Sequence, residues 1–148
     1  MTVIYKSLVT ETSTSKLTSG TLFTYTGSIE IVSLIGRVST IIQDQAQTAR
    51  LYITPDSLSA YNLCAATSIR AFAAGTLLSL TGTVANDLVG TTAIGTIAPA
   101  QAGRIIATCV TSGVIGVTFN PTGSVSGSTG AIVWEISWVP ISQTASVI

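Results

Sequence analysis

Six carboxylates and two thiols are the first side chains to test for chemistry: Glu11, Glu30, Asp44, Asp56, Asp87 and Glu135, with Cys64 and Cys109. Acid–base catalysis needs two carboxyls in one pocket with their pKa values pushed apart. Glycoside hydrolysis needs such a pair on either side of a sugar bond. Here Glu30 and Glu135 fall in strand-like runs, and Asp44, Asp56 and Asp87 lie near turns. They read as solvated acids and as partners for Arg37, Arg50, Arg70 and Arg104. The chain has no histidine, which removes Ser-His-Asp and Cys-His nucleophilic mechanisms and every histidine metal ligand. Cys64 and Cys109 sit among small or apolar neighbours and read as buried, reduced thiols. A disulfide between them stays open, because sequence does not give their separation.

Two other features invite a binding role. The Gly/Ser run Gly123–Gly130 lacks the strand–loop–helix setting and the Gly-Lys-Ser/Thr ending of a phosphate cradle. Trp134 and Trp138 could stack on sugar rings or bases. They alternate with Ile132 and Ile136 on one apolar face, however, which points to core or subunit-interface packing. No catalytic, cofactor-binding or metal-ligating residue is assigned, and no cofactor is implied.

The elements that carry these residues have period 2. Ile29–Val38 alternates with two largely apolar sets, which predicts a strand buried on both faces. Ile132, Trp134, Ile136 and Trp138 make one face of a second strand, ended by Pro140, which has no N–H to pair. Thr21–Thr26, Ala49–Thr54, Leu77–Thr81, Gly103–Val110 and Val114–Phe119 read as further strands. Turn signals separate them at Thr26–Ser28, Pro55-Asp56, Gly82, Ser112-Gly113 and Asn120–Gly123. Arg104–Val110 and Val114–Phe119 look like a hairpin. Ser57–Ala66 and Val84–Val89 could each hold a helical turn. Many short strands at even spacing predict an all-β fold, a single β-sandwich domain of jelly-roll type spanning residues 21–148. Residues 1–20 read as an extended N-terminal arm.

Composition bounds the rest. The chain is 8% charged and 47% hydrophobic, with six basic and six acidic residues and zero formal net charge. An average soluble domain is about 25% charged. Mean hydropathy is +0.62. Disorder does not fit this balance, and nucleic-acid binding by counterion release lacks the basic surplus it requires. The best apolar stretch, Ile69–Leu80, is cut by Arg70, Gly75, Thr76 and Ser79, too short and polar for a spanning helix. Residues 1–16 show no apolar run behind a basic start, so no signal peptide is expected. Few charges at zero net charge favour self-association, and a surface of Thr and Ser suits burial against other subunits. The expectation is a homo-oligomer, most simply a trimer. Val133 and Val139 are candidate contacts on the closing strand. Tyr5 and Leu8 are candidate anchors on the arm, with Lys6 at the rim.

Two segments carry a family resemblance. The run Gly27–Ala46 places a Gly-Ser-Ile-Glu-Ile start ahead of a long strand, a glycine at Gly36, and a Gln/Asp-rich turn. The closing run Gly130–Ser142 ends a strand in an aromatic, a proline and an apolar-Ser pair. This pattern, from about Leu22 to Ser142, resembles small virion structural proteins of tailed bacteriophages. Val139 separates Trp138 from Pro140, a departure from that pattern. The resemblance implies a non-enzymatic virion component made in the host cytoplasm. Within that class it suggests a capsid decoration or cement protein that clamps neighbouring major capsid protein subunits. Its partners would be itself and the major capsid protein, without direct contact to nucleic acid or membrane. A tail, fibre or head–tail accessory role, and a carbohydrate-binding β-sandwich, are the alternatives.

Overall fold

The computed structural model describes residues 8–15, 17–80, 89–91, 107–109, 111–121 and 129–148. These residues form twelve strands and no helix. In chain order they are β1 (Leu8–Ser15), β2 (Gly20–Thr26), β3 (Ile29–Thr40), β4 (Gln47–Pro55), β5 (Tyr61–Asn62), β6 (Thr67–Ser68), β7 (Leu77–Ser79), β8 (Val89–Thr91), β9 (Ala107–Cys109), β10 (Gly113–Pro121), β11 (Ala131–Pro140) and β12 (Ser146–Val147). The protein is all-β. No helix among the described residues is long and apolar enough to cross a membrane.

The strands make two antiparallel sheets. Sheet A runs β1-β11-β3-β7-β8, with β9 also on β3. Sheet B runs β12-β2-β10-β4-β5, with β6 also on β4. Apart from the two-residue β12, which adds to β2, the pairing is nested along the chain. β1 pairs with β11, β2 with β10, β3 with β7, and β4 with β5. The nested pairs are joined sideways by β11 on β3 and β10 on β4. Each long strand from β1 to β4 therefore crosses to the sheet opposite its predecessor.

One hydrophobic cluster lies between the sheets, supplied by both. Sheet A contributes Ile132, Trp134, Ile136 and Trp138 from β11, as their alternation predicts. It also contributes Ile29, Ile31, Leu34 and Val38 from β3. Sheet B contributes Phe23, Tyr25, Ala49, Leu51, Ile53, Ile115, Val117 and Phe119. The placement of both tryptophans decides between the two sequence-level readings: Trp134 is 0% exposed and Trp138 is 4% exposed. They are core residues, not exposed stacking platforms.

Three expectations are revised. β3 is not buried on both faces. Its register against β11 jumps between Ser137↔Ser33 and Trp138↔Ile31, leaving Val32 as an extra residue. Such a bulge switches the inward parity. Odd positions (Ile29, Ile31) point to the core before it and even positions (Leu34, Gly36, Val38) after it. The outer positions Glu30, Val32 and Ile35 are half-buried. The hairpin expected between Arg104–Val110 and Val114–Phe119 does not form. β9 pairs with β3 in sheet A, and both edges of β10 are taken by β2 and β4 in sheet B. Ser112 is thus a crossing between layers, and residues 104–106 and 110 lie outside the described set. Lastly, the arm is not free of the body over its second half. β1 pairs with β11 through eight residues, from Leu8↔Trp138 to Ser15↔Ala131. The Ser57–Ala66 segment holds a turn and β5 with no helix, and residues 84–88 lie outside the described set.

Gly36 stands opposite Trp134 across the β3–β11 ladder. A Cβ there would sit 2.7 Å from Trp134 Cζ3 and 3.0 Å from Ile132 Cγ2. The missing side chain is the space the indole fills, and a ring packed in a core leaves no slack for an added methyl. Gly36→Ala is expected to lower unfolding stability by about 1–3 kcal/mol, the usual cost of overpacking. Gly20→Ala is the control, because a Cβ at Gly20 meets nothing within 4 Å. It should stay within about 0.5 kcal/mol of the parent. Urea unfolding followed by tryptophan fluorescence measures both.

Candidate functional site

The acids do not gather into a catalytic pair. Asp44 lies in the β3–β4 connection and accepts a 2.5 Å bond from Arg70 Nε. Both side chains are well exposed, at 71% and 56%. The bond from Arg70, then its charge, hold the Asp44 carboxyl below the usual carboxylate range. This is the acid–arginine partnership expected from the sequence, and exposed pairs of this kind add little stability. The β1–β11 register sets Glu11 opposite Glu135 along the backbone. That juxtaposition depends on β1 pairing with β11, which an N-terminal arm would not do. Among the described residues, no three of His, Cys, Asp or Glu gather into a metal-binding group. Asp87 and residues 123–128 lie outside the described set.

Both thiols are buried and no disulfide joins them, which closes the disulfide alternative. Cys64 Sγ accepts the Leu51 N–H at 3.3 Å, filling in for a carbonyl where the neighbour of β4 is interrupted. Cys109 is beside the Tyr25 hydroxyl. Burial pushes the Cys109 thiol up to about 11, against a smaller lowering by Tyr25. Burial, then the neighbouring Cys109, push Tyr25 well above the usual phenol range. A thiol held protonated is a poor nucleophile, so this pair packs as part of the core.

The candidate contact residues separate in space. Val133 and Val139 are half-buried on the outer face of β11, alternating with the core residues. Val133 stands opposite Arg37 and Val139 opposite Glu30 on β3. Leu8 is opposite Trp138 in the β1–β11 register, out of phase with the two valines. Tyr5 and Lys6 lie outside the described residues.

Sheet B carries a feature that the sequence reading missed. A shallow recess of about 250 Å³ opens on its outer face, lined by Arg50, Tyr52, Ala60, Asn62 and Thr118. The alternation of β4 produces it. Ala49, Leu51 and Ile53 point into the core, so Arg50 and Tyr52 point out. Thr118 of β10 stands opposite Arg50, and Asn62 of β5 opposite Tyr52. The signal was present in the alternation Ala49-Arg50-Leu51-Tyr52-Ile53, which puts an arginine and an aromatic side by side on the solvent face.

No protein-family model matches the chain, and no curated protein matches it. Among solved structures it is similar to a chain of the structure of infectious bursal disease virus, Gx strain, at 12% identity and a TM-score of 0.33. That likeness covers 97% of this chain and 36% of the other, so this chain spans about a third of its length. At this TM-score the likeness carries no argument about function.

The buried thiol sets a pH dependence. A cysteine ionises near 9.0 when unperturbed and near 11 at Cys109 in the folded chain. Between these values the unfolded state has lost a proton that the folded state keeps. Stability therefore falls as pH rises through this window, and the contribution is intact below it. Thermal unfolding followed from pH 8 to 11 should show a falling midpoint. The fall should be shallower in Cys109→Ala, whatever that variant's midpoint at neutral pH.

Proposed function

We propose that this protein is a non-enzymatic virion component with a jelly-roll fold, acting as a capsid decoration or cement protein. The observation that carries this reading is the nested strand order. Leaving aside the two-residue β12 on β2, the first strand pairs with β11, the second with β10, and so inward to β4–β5. This is the order obtained by rolling one long antiparallel ribbon into two sheets. Jelly rolls of this kind serve viral capsid and lectin domains. The low charge and the Thr/Ser-rich surface add support, because neither resists burial against another subunit. The phage-like runs Gly27–Ala46 and Gly130–Ser142 form β3 with the turn after it and β11 with the turn after it, the two central strands of sheet A.

On this reading the protein acts by contact area and multivalency. It assembles as a homo-oligomer, a trimer, and bridges neighbouring major capsid protein subunits in the virion. Three copies of a weak contact then hold more tightly than one. The outer face of sheet A, with Val133 and Val139, supplies the contact between copies. β1 ends the described order of sheet A, where a further strand can be added through backbone hydrogen bonds. On this reading Tyr5, in the segment before β1, is the anchor to the shell. No cofactor, nucleic acid or membrane takes part.

The test is shell binding. Purified protein is mixed with shells assembled from the major capsid protein of the same genome. Binding should saturate at a fixed number of copies per shell and raise the temperature at which shells rupture. Sedimentation of the free protein at tens of micromolar should give a trimer. Deleting residues 1–7 should leave the melting curve unchanged and weaken shell attachment by about tenfold or more, the loss of one modest anchor per copy. Shells that neither bind the protein nor gain resistance would overturn the decoration role. Undiminished attachment of the truncated chain would remove the arm from the mechanism.

A further inference from the structure

We propose that the recess on the outer face of sheet B binds a carboxylate-bearing sugar residue, a site independent of shell attachment. Arg50 is the reason for the acid. Its Nε is shielded from solvent and has no hydrogen-bond partner. Among the described residues no ion pair involves it. Arg50 is only partly buried and lines the recess, so its charge is offered there without an answering acid. The two Nη groups of a guanidinium form a parallel fork that matches the two oxygens of a carboxylate.

The wall beside Arg50 is open for a structural reason. On one side β10 runs alongside β4 without interruption, placing Thr118 next to Arg50. On the other side β5 pairs only with Tyr52 and Ile53, and β6 only with Thr48 and Ala49. Between them the Leu51 backbone is served by Leu63 N–H and Cys64 Sγ, and Ala65 makes a single bridge. Neither β5 nor β6 includes a residue paired with Arg50. Tyr52 is held at the other end of the recess by Gly116, where any Cβ would collide with the phenol ring. A ring fixed over glycine is a rigid surface, and rigid surfaces lose little entropy on binding.

The remaining groups favour a sugar over a bare carboxylate. Asn62 offers an amide that both donates and accepts, and Thr118 a hydroxyl that does the same. Both suit the hydroxyls around a sugar ring. Tyr52 and Ala60 supply apolar surface for the ring's C–H face. The volume holds one six-membered ring and little more. A phosphate fits less well, since a single guanidinium faces it. The recess and the Val133–Val139 surface lie on the outer faces of opposite sheets, so a particle-bound copy can use both at once.

Amide NMR on the intact, isotope-labelled protein tests this with four probes: sodium glucuronate, N-acetylneuraminate, glucose and acetate. At least one acidic sugar should give saturable shifts at the amides of Arg50, Tyr52, Asn62 and Thr118. Glucose and acetate should each bind about tenfold more weakly or worse. Arg50→Gln should lose the acidic sugar's binding by at least tenfold, and Arg50→Lys, which keeps the charge but not the fork, should lose most of it. Asn62→Ala, at an exposed position, should weaken binding without moving the melting temperature. Acetate binding as well as the acidic sugars would overturn the sugar assignment, leaving a general carboxylate site. No saturable shift with any probe, shifts confined to other residues, or an Arg50→Gln variant that folds and binds normally would overturn the site. None of these outcomes bears on whether the protein attaches to shells.

Discussion

The fit of Trp134 over Gly36 fixes the position of β11, and most of the fold follows from where β11 lies. This strand is paired on both sides, by β1 and by β3. Its inner face carries four large apolar side chains, each at most 4% exposed. Truncating a buried indole costs about 3–5 kcal/mol, against a typical total stability of about 5–15 kcal/mol. A register slip of one residue would turn both tryptophans out to solvent and bring Glu135 and Ser137 into the core. The indole seats only where β3 offers a glycine, so the pair also pins β3. β3 in turn carries β7 and β9, and one contact thereby orders most of sheet A.

Strand existence was legible wherever a run was long and one-sided. Ile132–Val139, Ala49–Thr54 and Val114–Phe119 all appear in the structure near their expected bounds. Strand partnership was not legible, because it depends on which layer a segment enters. Ser112-Gly113 carries an ordinary hairpin signal, yet the strands on either side of it lie in different sheets. The double hydrophobic pattern of β3 was misread for a related reason. One bulged residue, Val32, reverses the inward parity, and a strand with a parity change looks apolar on both sides. β5, β6 and β12 are two residues long, too short to leave a period at all. β1 looked like an arm because Thr and Ser dominate it, whereas its pairing is made by backbone groups that are the same for any side chain.

The recess was half legible. The outward parity of Arg50 and Tyr52 follows from Ala49, Leu51 and Ile53 alone. Its shape follows from two things a linear reading does not contain. One is Gly116 lying under Tyr52 from a strand 64 positions further along, as the register records. The other is the link between β5 and β6, where Cys64 points inward and takes the Leu51 N–H. A cysteine read as a small hydrophobe thus also serves the backbone of β4.

Low charge ties these features together. With six cations and six anions in the whole chain, a guanidinium has few carboxylates within reach to neutralise it. Asp44 engages Arg70 at the surface, and Arg50 is left with its Nε facing no acceptor. In a chain of ordinary charge density a neighbouring Glu or Asp would have answered it, and the recess would be only a salt bridge. The same scarcity makes the outer faces cheap to desolvate, since hydroxyl groups lose less on burial than ions do. A sequence that spends its large apolar residues on two inner faces and almost no charge on the outer ones leaves those faces suited to contact. Arg50, with no answering acid among the described residues, is then the place where such contact becomes selective.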